Sequence, residues 1–227
     1  MIVKAPWWLR AMTPTGVFRL TDDEKADRLA LPRVETEWGG VYLTFDDGPV
    51  PEVTPWVLDV LDFYGVKATF FMVGENALRY PELVEEVTAR GHRVASHAHR
   101  HRPGFKQTTR TYLRDARKAH EAIRANSRRK TDAAGCPIFR PPHGFISLPQ
   151  LFALKLYGYE VVLFDIVSRD YDRTLSADQV VDNVLDNVRD GSVIVFHDSI
   201  KAFPRLEKAL PRILDRLCIP KNVSYPG

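Results

Sequence analysis

"VYLTFDDGP", Val41 to Pro49, is an apolar, β-branched run that ends in two adjacent carboxylates followed by Gly-Pro. Val, Tyr, Leu, Thr and Phe favour a strand. Successive side chains on a strand point to opposite faces, so Asp46 and Asp47 cannot share one role unless the chain turns, and Gly48-Pro49 supplies a turn. The pair therefore reads as two tasks at one strand end. Downstream, "PEVTPWVLDVLDFYG" carries Trp56, Val57, Val60, Leu61 and Tyr64 at helical spacing and stops at Gly65.

The same alternation then repeats. "KATFFMVG", "HRVASHA", "PIFRP", "YEVVLFDI" and "SVIVFHD" read as strands. Helical patterns follow them over "PELVEEVTARG", "TTRTYLRDARKAHEAIRAN", "SLPQLFALKLYG", Ser176 to about Arg189, and "FPRLEKALPRILDRL". Six strand–helix units with short connections predict an α/β fold whose strands are parallel and joined by right-handed crossovers. In such folds, open sheet or barrel, chemistry gathers at the C-terminal ends of the strands. Polar clusters stand at five of those six ends: Asp46-Asp47, His97 to His101, Arg140, Asp165 to Tyr171, and His197-Asp198.

The chain has 227 residues, 44% hydrophobic and 27% charged, enough for one substantial core. No apolar run approaches the roughly 18 residues that a membrane helix needs. Pro6, Arg10 and Pro14 break up the N-terminal apolar stretch, which reads as a segment docked on the fold and not as a signal peptide. A cytoplasmic location is the corresponding expectation. A net charge of +3, with both signs mixed along the chain, makes no demand for a nucleic-acid partner. The basic stretch Arg124 to Lys130 fits a solvated helix end. Cys136 and Cys218 are too few and too distant for a disulfide framework or a thiolate metal site.

"SHAHRH" places His97, His99 and His101 together. A helical turn would put His97 and His101 on one face, and an extended chain would put all three on one side. Two imidazoles and one carboxylate form a catalytic zinc set that leaves a position open, with Asp47 as the third ligand and Asp46 free to act as a base. An ordinary helix cap or turn is the alternative role for either aspartate. In "FRPPHGF", two prolines stiffen the backbone after Arg140, which suits a guanidinium that orients a carboxylate; a purely structural ion pair is its alternative. His197 ends "VIVFHD", where it is either a buried structural histidine or a proton donor titrating near neutrality.

These motifs, in order "TFDDGP", "HAHRH", "RPPHG", "DIVSRDY" and "VFHD", resemble those of the polysaccharide deacetylase family of carbohydrate esterases. The match runs from Val41 to the last helix, with residues 1–40 read as an N-terminal segment packed on the barrel and 41–227 as the catalytic domain. The resemblance implies a distorted (β/α) barrel of about seven parallel strands and removal of an acetyl group from an N-acetylated sugar or oligosaccharide. It makes Asp46 the base and Asp47, His97 and His101 the ligands of one divalent metal ion, zinc or a similar ion. It also implies that Arg140 orients Asp46, Asp170 holds Arg140, and His197 is the acid. Tyr171 and Val195 stand where the family places a pocket for the acetyl methyl, and His99 is not a ligand.

The match departs from the common pattern at Ala98, His143, Val167 and Tyr171. These leave the metal and proton-transfer positions intact and bear on the substrate. Two rivals use the same machinery or fold: an O-acetyl esterase and a non-catalytic sugar-binding protein. An aspartyl phosphatase would want a second aspartate two residues after the first, and Gly48 stands there.

Overall fold

In a computed structural model that describes Leu29 and residues 31–127 and 137–218, the opening stretch lies in strand β2 (Gly39–Asp46). β2 is central, with β3 (Thr69–Met72) and β8 (Val193–His197) parallel on either side. The path continues outward from β3 through β4 (Arg93–Ser96), β5 (Ile138–Phe139) and β6 (Glu160–Val161), and from β8 to β7 (Ile166–Val167). These seven parallel strands curl into an α/β distorted half-barrel, as expected. A short β1 (Val34–Thr36) pairs antiparallel with the start of β2, so pairing begins upstream of Val41. Residues 1–28, including the aromatic N-terminus, lie outside the described residues, as does Cys136.

Alternation along the strands sorts the core into two layers. Leu43, Phe45, Phe70, Ile194 and Phe196 face the helices, and Phe45 stacks on Phe70 and Phe196 at 5.1 and 5.5 Å. Tyr42, Phe71, Ala95, Ile138 and Val193 face inward, joined by Leu29 and Leu31. Tyr42, Thr44 and Asp46 share that inner face by their period of two. Register places Asp46 level with Phe71 on one neighbour and His197 on the other. Both strand-end polar groups thus arrive at one rim.

The helices fall where periodicity put them: α1 (Thr54–Phe63), α3 (Pro81–Ala89), α4 (Thr109–Ala125), α5 (Leu148–Leu156), α6 (Ala177–Leu185) and α7 (Phe203–Leu217). A short α2 (Gly74–Arg79) was not foreseen. Among the described residues no helix is long and apolar enough to cross a membrane.

One expected strand divides. "YEVVLFDI" becomes β6 and β7, which occupy opposite edges of the sheet. Between them the carbonyls of Val162 and Leu163 accept from Arg140 Nε and Nη2, at 3.3 and 3.2 Å. A buried side chain from β5's end thus takes up carbonyls that a continuous strand would have offered to a neighbour.

Candidate active site

Asp46 is the last residue of β2, buried on the inner face. Its Oδ1 accepts from Arg140 Nη1 at 2.7 Å, and the same nitrogen donates to Thr44 Oγ1 at 2.7 Å. Arg140 is fully buried, with its guanidinium carbon 3.9 Å from the centre of the Phe71 ring. Burial pulls its pKa down and the Asp46 carboxylate opposes that pull. Arginine remains charged regardless. Each of the two buried side chains thus has a partner of opposite charge.

Asp47 leaves the strand at φ +84°, and an oxygen of each aspartate, Asp46 Oδ2 and Asp47 Oδ1, lies 3.8 Å from His97 Nε2. Its Oδ1 lies 3.1 Å from His101 Nε2 and 3.8 Å from His97 Nε2. Ligand atoms of Asp47, His97 and His101 all fall within 4.8 Å of one another. His97 Nδ1 lies 2.9 Å from the Arg140 carbonyl, which can only accept, so Nδ1 carries the proton and Nε2 presents a lone pair. Burial holds the pKa of His97 down at about 4, against the nearby Asp46 and Asp47 carboxylates, so the ring is neutral at pH 7. Asp47 Oδ1 is buried and accepts no hydrogen bond. A neutral imidazole aimed at an orphaned carboxylate oxygen fits a divalent cation. The same three residues were expected as ligands.

The histidine segment is neither helical nor extended. Ala98 and His101 adopt φ +63° and +50°, and the amides of Gly74 and Glu75 at the start of α2 donate to the carbonyls of Ala98 and His99 at 3.0 Å. His99 is buried away from the other two, against Gly74 and Ala119: a Cβ on Gly74 would meet its Nδ1 at 2.6 Å and Ala119 at 2.7 Å. It is no part of the cluster.

His197 ends β8 opposite. Its Nδ1 lies 2.7 Å from Asp170 Oδ1, and its backbone amide donates to Asp170 Oδ2 at 2.8 Å. Asp170 was expected to hold Arg140; instead both oxygens of its buried carboxylate serve His197. The physical reason is the division of "YEVVLFDI": β7 pairs with β8, which carries Asp170 beside His197, while Arg140 spends its donors on Asp46, Thr44 and two carbonyls. Burial pulls His197 down, but the charge and hydrogen bond of Asp170, with Asp47 and Asp46 beyond, outweigh it and push its pKa up to about 9. In metal-free Asp170→Asn the ring should titrate at lower pH than in wild type, read by NMR of the imidazole. A value unchanged near 9 would show that Asp170 is not the source.

Asp46, Asp47, His97, His101 and His197 line one cleft of about 510 Å³, which also takes in Tyr171, Val195, His143, Phe164, Arg169 and Lys201. Tyr171 stands edge-on to His197 with centroids 4.8 Å apart, and Val195 shares the inner face of β8. Asp47, His101, His143 and Arg169 all line the cleft in the left-handed region, a conformation that costs non-glycine residues about 1–3 kcal/mol and concentrates at functional sites. Two residues that the sequence singles out, Asp198 as a strand-end carboxylate and His143 as a departure from the motif, take places in the site that it did not assign. Asp198, buried, accepts from the Gly48 amide at 3.0 Å and the Thr54 hydroxyl at 2.7 Å, and its own amide donates to the Asp46 carbonyl at 3.1 Å. It braces the turn that separates the two aspartates. His143 sets its ring centroid 4.6 Å from that of His101, the two planes tilted at 54°.

Comparison with known proteins agrees with this geometry. A family model described as polysaccharide deacetylase matches residues 33–162. A chitooligosaccharide deacetylase from Sinorhizobium fredii is 39% identical over 168 residues, 74% of this chain and 76% of that protein. A peptidoglycan-N-acetylglucosamine deacetylase from Bacillus cereus is 36% identical over 160 residues, 70% of this chain and 56% of that one. Among solved structures, a peptidoglycan N-acetylglucosamine deacetylase superposes with a TM-score of 0.68 at 30% identity, covering 81% of this chain and 85% of the other. A family 4 carbohydrate esterase from Streptomyces lividans, in complex with acetate, gives 0.66 at 29%, covering 78% and 86%.

Proposed function

Because the chain belongs to the polysaccharide deacetylase family, we propose that it is a metal-dependent hydrolase that removes the acetyl group from an N-acetylated amino sugar or oligosaccharide. One observation carries this reading: a carboxylate and an imidazole face one cleft from adjacent strands, each held by its own buried partner of opposite charge.

The two partners serve opposite proton transfers. Arg140 donates to Asp46 and aims it, so that Asp46 takes a proton from the attacking water. Asp170 keeps His197 protonated, so that His197 gives a proton to the departing nitrogen, which would otherwise leave as an unstable anion. Asp47, His97 and His101 would hold a divalent ion, zinc in this reading, which when bound supplies Lewis-acid stabilisation of negative charge. Tyr171 and Val195 offer an apolar wall for the methyl group.

The proton that His197 donates is present below its pKa and absent above it. The rate should therefore fall on the alkaline side, and earlier in Asp170→Asn. The direct test measures acetate release from N-acetylchitooligosaccharides and from O-acetylated xylan. Release from the first substrate supports the reading. Release from the second alone would make the protein an O-acetyl esterase, and release from neither in metal-loaded, folded protein would favour a sugar-binding role.

A further inference from the structure

Helix α5 is apolar on two faces. Leu151 and Leu154 are buried against the barrel, while Leu148, Phe152 and Leu156, at i, i+4 and i+8, form an outward stripe that Tyr157 follows. Three residues before Leu148, Phe145 meets Phe105 edge to face, with centroids 6.0 Å apart. These six side chains are between 50% and 87% exposed. One aromatic side chain offers about 150–250 Å², so together they leave open several hundred Å², the size at which an apolar patch marks a contact surface. Loop and helix are tied together. The buried Gln150 side chain donates from Nε2 to the carbonyls of Gly104 and Gln107, at 2.8 and 3.2 Å, and accepts at Oε1 from the Ser147 amide at 3.0 Å. The surroundings are cationic. Arg102, Lys106 and Arg110 are exposed near Phe105 in the chain, and residues 100–114 and 137–159, which carry the whole patch, contain no acidic residue. Acidic partners come from outside these stretches: Glu75 pairs with Arg100 and Glu160 with Lys155.

We propose that this face docks on an anionic lipid bilayer, with the apolar side chains at the headgroup boundary and Arg102, Lys106 and Arg110 against the lipid phosphates. Charge and apolarity together select the occupant. A bilayer surface takes up apolar side chains flanked by cations and is bound through both. A second copy of the chain would instead set one cationic surround against another across a two-fold axis. The ties through Gln150 fix the patch before contact, so docking orders little. Helix α5 leads from the end of β5 back to the start of β6, so the stripe runs from the rim of the barrel down its flank. Docking is independent of the reaction in the cleft.

The test is sedimentation with vesicles of phosphatidylcholine and phosphatidylglycerol in equal parts, beside vesicles of phosphatidylcholine alone. Wild type should bind the anionic vesicles about tenfold or more tightly than the neutral ones, and added salt should weaken that preference. A triple variant, Phe105→Gln, Phe152→Gln and Leu156→Gln, should bind anionic vesicles roughly tenfold or more weakly. A charge variant, Arg102→Gln with Lys106→Gln, should lose about fivefold per cation removed. All five positions are exposed, so both variants should keep the wild-type circular dichroism and melting temperature. Absence of wild-type binding to anionic vesicles overturns the proposal. Unchanged binding in the triple variant does so too, since attraction would then need no apolar face, and unchanged binding in the charge variant removes the anionic surface as the partner. A wild-type dimer in ultracentrifugation that the triple variant dissociates, with no vesicle binding, overturns it in favour of a second copy as the occupant.

Discussion

Asp46→Asn is expected to lower acetate release by roughly 10²–10⁴-fold while leaving metal content unchanged. The substitution keeps the shape of the side chain and removes its capacity to take a proton. None of the expected ligand set is touched, because Asp47, His97 and His101 are separate residues. A second consequence follows from burial. Arg140 is wholly enclosed and its Nη1 donates to Asp46, so the amide leaves a cation without its counter-charge, at a cost of about 3–5 kcal/mol. Chemical denaturation should therefore show a less stable protein, and activity must be normalised to the folded fraction at low temperature. Near wild-type turnover in the folded, metal-loaded variant would remove Asp46 as the base.

Replacing both His97 and His101 by Ala is expected to reduce bound zinc from about one ion per chain to near none. Elemental analysis after incubation with zinc and dialysis measures this directly. His99→Asn is the matched control, because that ring packs towards Gly74 and Ala119 and its loss should leave the content intact. Thermal melting gives an independent reading. A ligand bound only by the folded state stabilises it by about 2.7 kcal/mol at a hundredfold excess over Kd, so zinc should raise the melting temperature of wild type and of His99→Asn but not of the double variant. Equal stabilisation of all three would place the ion elsewhere.

Much of this site was legible because strand periodicity is a strong constraint. Once "VYLTF" is a buried strand, Asp46 must share a face with Tyr42 and Thr44, and the rim is the only place where its charge can find partners. His197 follows by the same logic on β8. The helices were equally plain, since their apolar spacing needs no tertiary information. What could not be read depends on tertiary geometry. Nothing in "YEVVLFDI" announces that its middle will give carbonyls to Arg140 and its halves to opposite sheet edges. That division also decides which basic residue Asp170 meets, so the misassigned partner and the undivided strand are one error. The left-handed residues are a similar case: Asp47, His101 and His143 adopt φ values that their sequence merely tolerates. Asp198 was hidden because a buried brace and an ordinary strand-end carboxylate look alike in one dimension.

Arg140 holds the carbonyls of Val162 and Leu163, where the chain leaves β6, with the same guanidinium that holds the base. The arginine is therefore under two selective pressures, and only one of them concerns hydrolysis. A descendant that abandoned catalysis would still be penalised for losing it, so its retention among relatives is poor testimony that they are active. His101 carries no such second duty: it is partly exposed, and its side chain is directed to Asp47 and not to the core. A relative that keeps the arginine and lacks this histidine is expected to fold well and hydrolyse nothing, and surveys of such sequences would do better to count the histidine.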